Sequence, residues 1–196
     1  MYVSLSEGIF NALKRKKINT FEWAEYHGIS ADLSNPRFEA REIELYCFVT
    51  GDNAQDMFDN FRNLIIAQFQ KAGTQRLMIK PGTAKPLVYE VYLEDDIKLS
   101  KLFRDGTMTG LFRIKLIEPN PIKKVYLFKN TFLNLSYKSN SETEIFFGDG
   151  TKVTVPGNAS ITDKELPGGD KYIIIAGNID QVTNIVTNAT LVWDKL

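Results

Sequence analysis

One amphipathic helix surrounded by strand-like sequence constrains this chain more than any other feature. In the stretch from Arg41 to Lys80, the residues Met57, Phe58, Phe61, Leu64, Ile65, Phe69 and Ala72 recur at three- and four-residue spacing, with Asp59, Asn60, Arg62, Asn63, Gln70 and Lys71 largely opposite. Asp52 can cap the first turn, and Gln55 three residues on completes a capping-box pattern. Gly73 suits a left-handed residue at the end, and Lys71 suits the negative pole of the helix. An amphipathic helix must bury its stripe, and the only elements available to cover it are strands. The expectation is a mainly β, α+β protein whose one helix covers a sheet, followed by a small all-β part.

The strands have a two-residue period. From Arg41 to Thr50, Ile43, Leu45, Cys47 and Val49 alternate with Glu42, Glu44, Tyr46 and Phe48. Gln75–Lys80, Pro86–Leu93, Ile97–Phe103 and Met108–Ile117 follow, separated by Pro81-Gly82 and the hairpin pair Asp105-Gly106. Residues 1–19 fit either a helix, with Ser4 and Glu7 as a capping box, or a short strand at Tyr2–Leu5. Residues 20–40 read as an irregular, aromatic-rich approach, with turn signals at Gly28 and Asn35-Pro36. Pro119-Asn120-Pro121 cannot lie in a central strand and divides the chain into residues 1–120 and 121–196. Beyond it come short strands at Val125–Phe128, Phe132–Tyr137, Glu144–Phe147, Lys152–Val155, Tyr172–Ala176 and Thr190–Trp193. The glycine-bearing turns between them indicate a small sandwich or meander.

Composition removes several function classes. The 196 residues carry 24 basic and 24 acidic side chains, so no basic field points to nucleic acid as the main partner. No run approaches the roughly 18 apolar residues of a membrane span. No secretory pattern is read, because the basic run Lys14–Lys17 follows the apolar residues instead of preceding them. That run reads as a solvated face. The single cysteine, Cys47, excludes an intrachain disulfide and reads as a small buried hydrophobe. His27, the only histidine, stands beside Gly28 in a loop and supplies no base for a nucleophile. Glu94-Asp95-Asp96 lacks the alternate spacing and glycine turn of a cation loop and reads as a strand end. Gly148-Asp149-Gly150 and Pro167-Gly168-Gly169-Asp170 precede no helix, so they read as hairpin turns and not phosphate cradles. No catalytic, cofactor or metal residues are assigned, and the pattern suits a protein that acts through its surfaces.

The segment Gly28-Ile29-Ser30-Ala31-Asp32-Leu33-Ser34, then Pro36-x-Phe38-Glu39-Ala40-Arg41-Glu42-Ile43, then strand, helix and strands ending in Phe112-Arg113-Ile114-Lys115-Leu116, resembles the N-terminal domain of phage distal tail (Dit-like) proteins. The form is that of prophages of Bacteroides-type bacteria, over roughly residues 20–118. The resemblance implies a β-sandwich or split barrel with one helix and self-assembly into a ring, of which a hexamer is one expected form. That ring joins the tail tube to baseplate or receptor-binding proteins in the virion tail; before assembly the chain is cytoplasmic in the producing bacterium. No catalytic residues come with it. Glu144-Ile145-Phe146-Phe147-Gly148-Asp149-Gly150-Thr151 and Gly169-Asp170-Lys171-Tyr172-Ile173-Ile174-Ile175-Ala176-Gly177 are similar to PKD-type immunoglobulin-like modules, with Phe147 where tryptophan is usual. The alternative is a cell-surface binding module for carbohydrate or protein that uses Trp23, Tyr26 or Trp193. A small hydrolase on a β-scaffold is the third possibility and has no nucleophile–base pair to support it.

Overall fold

The computed structural model describes all residues except Met1, Asp32, Leu33, Asn35, Thr83, Asp105 and Pro167. The Asn35-Pro36 turn, the Asp105 position of the hairpin and the Pro167 turn position therefore lie, wholly or in part, outside the described residues. The described residues are mainly β, with the expected helix over residues 54–69 and a single 3-10 turn at Ile179–Gln181.

In the first part of the chain the strands are β1 (Tyr2–Glu7), β2 (Thr20–Phe21), β3 (Ser30–Ala31), β4 (Arg41–Gly51), β5 (Gln75–Ile79), β6 (Leu87–Leu93), β7 (Ser100–Arg104) and β8 (Thr107–Glu118). Six of them form one antiparallel sheet in the order β1-β4-β8-β6-β5, with β7 also paired to β8. The alternation in β4 is obeyed: Ile43, Leu45, Cys47 and Val49 are buried, and across the ladder they join Phe112, Ile114 and Leu116 of β8. Residues 2–7 take the strand alternative, and the Ser4–Glu7 capping box is not used; Ser4 Oγ instead donates to the Tyr46 carbonyl at 3.0 Å.

The helix begins one residue later than the sequence pattern suggests. Asn53, not Asp52, is the N-cap, and its side chain accepts from the Asp56 amide at 3.0 Å. Gly51 just before it must be glycine for a steric reason: a Cβ there would stand 2.2 Å from the Met57 nitrogen. The helix is also not uniform. α1 (Ala54–Phe61) passes into a π-helical stretch, Arg62–Ile66, and then into a final turn, α2 (Ala67–Phe69). The fully buried stripe is the row Met57, Phe61 and Ile65, with Ile66 and Phe69 partly buried against the same core, and Phe58 and Leu64 face outward, about half exposed. Phe61 meets Phe112 edge-on, with ring centroids 5.0 Å apart. Gly73 does adopt a left-handed conformation, but three residues beyond the C-cap Gln70.

After Pro119–Pro121 come β9 (Lys123–Phe128), β10 (Phe132–Lys138), β11 (Thr143–Phe146), β12 (Lys152–Val155), β13 (Ala159–Glu165), β14 (Lys171–Gly177), β15 (Thr183–Thr187) and β16 (Thr190–Asp194). Two of these, β13 and β15, are not signalled by the sequence pattern. A three-stranded sheet, β13-β10-β15, faces a five-stranded one, β12-β11-β14-β9-β16. Leu133, Leu135 and Tyr137 of the first pack with Tyr126, Phe128, Ile145, Ile173 and Ile175 of the second. The five-stranded sheet is apolar on its other face as well, where Val125, Phe146, Ile174 and Ala176 pack against Val88 of β6. That doubly buried position explains the unbroken run Ile173-Ile174-Ile175 in β14.

The crossing between the two strand systems encloses charge. Glu118, the last residue of β8, and Lys123, the first of β9, form an ion pair in which each side chain is only 1% exposed. Arg41 Nε donates to the other Glu118 oxygen at 3.1 Å. The Lys123 ammonium lies 4.5 Å from the centre of the Tyr89 ring, and the Arg41 guanidinium 5.4 Å from it. Burial pushes the Glu118 carboxyl above its ordinary value and Lys123 below its own, and the opposite charges beside each of them offset that cost.

Two outcomes follow. Phe61→Ala should lower unfolding free energy by about 3–5 kcal/mol in urea titration, because the site under the helix cannot collapse around the lost ring. Lys123→Met should cost about 3–5 kcal/mol by leaving the buried carboxylate without its lysine, and adding Glu118→Gln, which removes that charge and keeps an acceptor for Arg41, should recover part of that loss. In Lys123→Met alone, a carboxyl whose folded pKa is raised contributes fully below its unfolded pKa and loses that contribution as pH rises through the folded one. The deficit should therefore widen from acid to neutral pH.

Candidate functional site

The residues that sequence patterns single out for chemistry do not converge. His27 is exposed, and Cys47 is buried in the sheet core, where desolvation holds its thiol above the ordinary value. Glu94-Asp95-Asp96 is an exposed strand end in which the Asp96 amide donates to Asp95 at 2.8 Å. Gly148-Asp149-Gly150 turns β11 into β12: Asp149 accepts from the Thr151 amide at 2.8 Å and from the Thr151 hydroxyl at 2.6 Å. These bonds to the ionised form help to hold the Asp149 carboxyl below its ordinary value against the opposing effect of burial. Gly168 and Gly169 both take left-handed conformations in the connection from β13 to β14. Among the described residues no group of three or more His, Cys, Asp or Glu side chains could hold a metal ion. No helix of the described residues is long and apolar enough to cross a membrane.

The aromatic candidates separate. Trp193 is half-buried, donates its ring N–H to the Pro86 carbonyl at 2.7 Å and carries the Lys85 ammonium 5.5 Å from its ring centre. It joins the last strand to the first sheet and offers no free face for a sugar. Trp23 and Tyr26 are 61% and 73% exposed.

Those two belong to a feature that periodicity does not reveal. The described residues between Lys14 and Glu39 form a two-stranded arm. At its root the Glu39 amide donates to the Lys14 carbonyl and the Lys16 amide to the Arg37 carbonyl, both at 2.9 Å, around an Arg15–Phe38 bridge. Further out β2 and β3 pair Thr20 with Ala31 and Phe21 with Ser30, and the Tyr26 amide donates to the Trp23 carbonyl in the end turn. Every residue from Asn19 to Ala31 is exposed, so the arm projects from the body. The Lys14–Lys17 run lies at its root, where Lys14 meets Glu39 at 2.6 Å with both side chains in solvent. A two-residue strand leaves almost no alternating pattern; the legible signal is the aromatic content of residues 20–31.

The root itself is anchored. The Tyr89 hydroxyl donates to the Ile9 carbonyl at 3.0 Å, and Arg41 reaches the Asn11 carbonyl at 3.3 Å. Gly8 is left-handed, and a Cβ there would stand 2.0 Å from the Glu42 carbonyl oxygen. On the outward face of the large sheet, Tyr2 stacks on Phe48 at 5.1 Å, and Phe48 is the register partner of exposed Leu111.

No protein-family model matches the chain, and no curated protein does. Among solved structures, the chain is similar to the Dit protein of SPP1, described as a paradigm of the hub adsorption apparatus in phages that infect Gram-positive bacteria. The identity is 12% and the TM-score 0.43, over 98% of this chain and 93% of that one.

Proposed function

We infer that this chain is a structural component of a phage or prophage tail tip, a self-assembling ring subunit that joins the tail tube to baseplate or receptor-binding proteins. The observation that carries self-assembly is the placement of exposed apolar side chains. Among the described residues, eight of the eighteen large exposed hydrophobics fall within the first 31 positions: Tyr2, Val3, Leu5 and Phe10 on and after β1, and Phe21, Trp23, Tyr26 and Ile29 on the arm. Apolar side chains gathered on one segment, in place of isolated ones, mark an association surface. β1 adds an edge strand with one unpaired side, the kind of edge to which another chain can add a strand. The tail-tip assignment rests on the sequence resemblance of residues 20–118 to Dit-like domains of Bacteroides-type prophages.

The same reading treats residues 1–120 as the ring-forming domain and 121–196 as a PKD-like appendage for contacts with other tail proteins. It locates the protein in the virion tail, with a cytoplasmic pool before assembly. The carbohydrate-binding alternative retains one specific support, the exposed pair Trp23 and Tyr26, and a glycan array separates it.

Light scattering behind a sizing column, over a range of concentrations, tests the reading. A closed oligomer of several subunits is expected, and Val3→Lys/Leu5→Lys should shift it toward monomer with the melting temperature little changed. A strict monomer, alone and with neighbouring tail proteins, would overturn the assignment.

A further inference from the structure

The arm has two chemically different ends. From Ile18 to Pro36 the sequence contains no lysine or arginine, and its described end turn combines Trp23, Tyr26 and Ile29 with Glu22 and Glu25. At the root, a groove of about 470 Å³ opens between the arm and the second strand system. Its apolar wall includes Phe38, Pro119, Pro121 and Ile179, and Lys16, Arg37 and Lys195 stand around it. Arg37 is held in place by a 3.0 Å hydrogen bond to the Asn178 side chain. Asp180 neutralises one cation through its 2.6 Å pair with Lys195, which leaves the groove positive. The groove volume lies in the range, roughly 300–1,000 Å³, of pockets that enclose a drug-sized group.

An apolar, acidic tip and an apolar, basic groove are complementary, yet they cannot meet within one molecule. Trp23 lies seven positions beyond Lys16, about 23 Å of extended chain at ~3.3 Å per residue, and every residue from Asn19 to Ala31 is exposed, so the tip does not lie in its own groove. We propose that the arm tip docks into the root groove of a second copy of this chain, with Trp23 and Tyr26 against the proline-lined wall and Glu22 and Glu25 facing Lys16, Arg37 and Lys195. The two surfaces differ, so the contact is heterologous: each copy gives a tip and receives one, and the chain of contacts closes into a ring or continues as a filament. This rests on the reading of the chain as a self-assembling subunit and specifies which surfaces meet.

Charge reversal tests it, using exposed side chains to preserve the fold. Glu22→Lys/Glu25→Lys and, separately, Lys16→Glu/Lys195→Glu should each weaken self-association at least tenfold by light scattering, with unchanged melting temperature. Combining all four substitutions in one chain should restore it, because the tip is then basic and the groove acidic. Mixing the two defective variants should also restore a contact, between the basic tip of one and the acidic groove of the other. If the native chain assembles and neither pair weakens it, or the combined variant stays dissociated, the tip–groove contact is overturned while the ring assignment stands. A native chain that remains monomeric with neighbouring tail proteins present overturns both.

Discussion

The fold turns on a buried ion pair at a proline-bounded crossing. Glu118 and Lys123 belong to different sheets and lie on either side of Pro119-Asn120-Pro121, and their pairing closes that short connection from inside. Arg41 satisfies the second carboxylate oxygen, and the Tyr89 ring lies close to both cations. A connection with two prolines already has little backbone freedom. The ion pair adds a directional, charge-assisted contact between the two sheets at that point. The cost is that none of these groups can be removed singly. The surrounding contacts have the same purpose: Val88 against Ile174 and Val125, Trp193 on Pro86, and Arg76 donating to the Tyr172 carbonyl at 2.5 Å while bound to Glu90.

The legibility of the sequence followed burial. β4 and the first two thirds of β8 were readable because each buries one regular face, which imposes a two-residue period, and β6, buried on both faces from Leu87 to Val91, was readable as a short apolar run after a proline. β13 and β15 were not, because they are the outer strands of a small sheet and keep few apolar positions; Asp163 and Asn184 within them even take left-handed conformations. The helix was legible as a type but not in its winding. Spacing alone cannot show that Arg62–Ile66 is π-helical, nor that the sheet covers only the Met57, Phe61 and Ile65 row and leaves the flanking Phe58 and Leu64 exposed. The cap moved from Asp52 to Asn53 because both residues can accept from an amide, and the close approach at Gly51 decides between them.

The surfaces offered for assembly were the least legible part. Residues 20–40 read as irregular, and their aromatic content was the only sign that they do anything. A projecting arm has no core to impose a period, so its residues are free to serve a partner. The Glu118–Lys123 pair was invisible for a different reason: charged residues beside prolines at a boundary read as solvated until the tertiary packing closes over them.

The anchoring of the arm's root bears on angular precision. In a closed ring of the kind proposed for this chain, the same angle would be repeated at every contact, so a small error in one subunit would be multiplied by the number of subunits. A soft interface would leave that angle to the contact itself. Here the departing chain is fixed before any partner arrives: left-handed Gly8 lies against the Glu42 carbonyl, and Tyr89 and Arg41 hold the carbonyls of Ile9 and Asn11. Tyr89 and Arg41 also belong to the charged cluster at the crossing between the sheets. The start of the arm and the start of the second strand system are therefore tied to the same few side chains. If copies assemble as proposed, the direction of the arm would be set within each subunit, and the contact between copies would have to hold and not to aim.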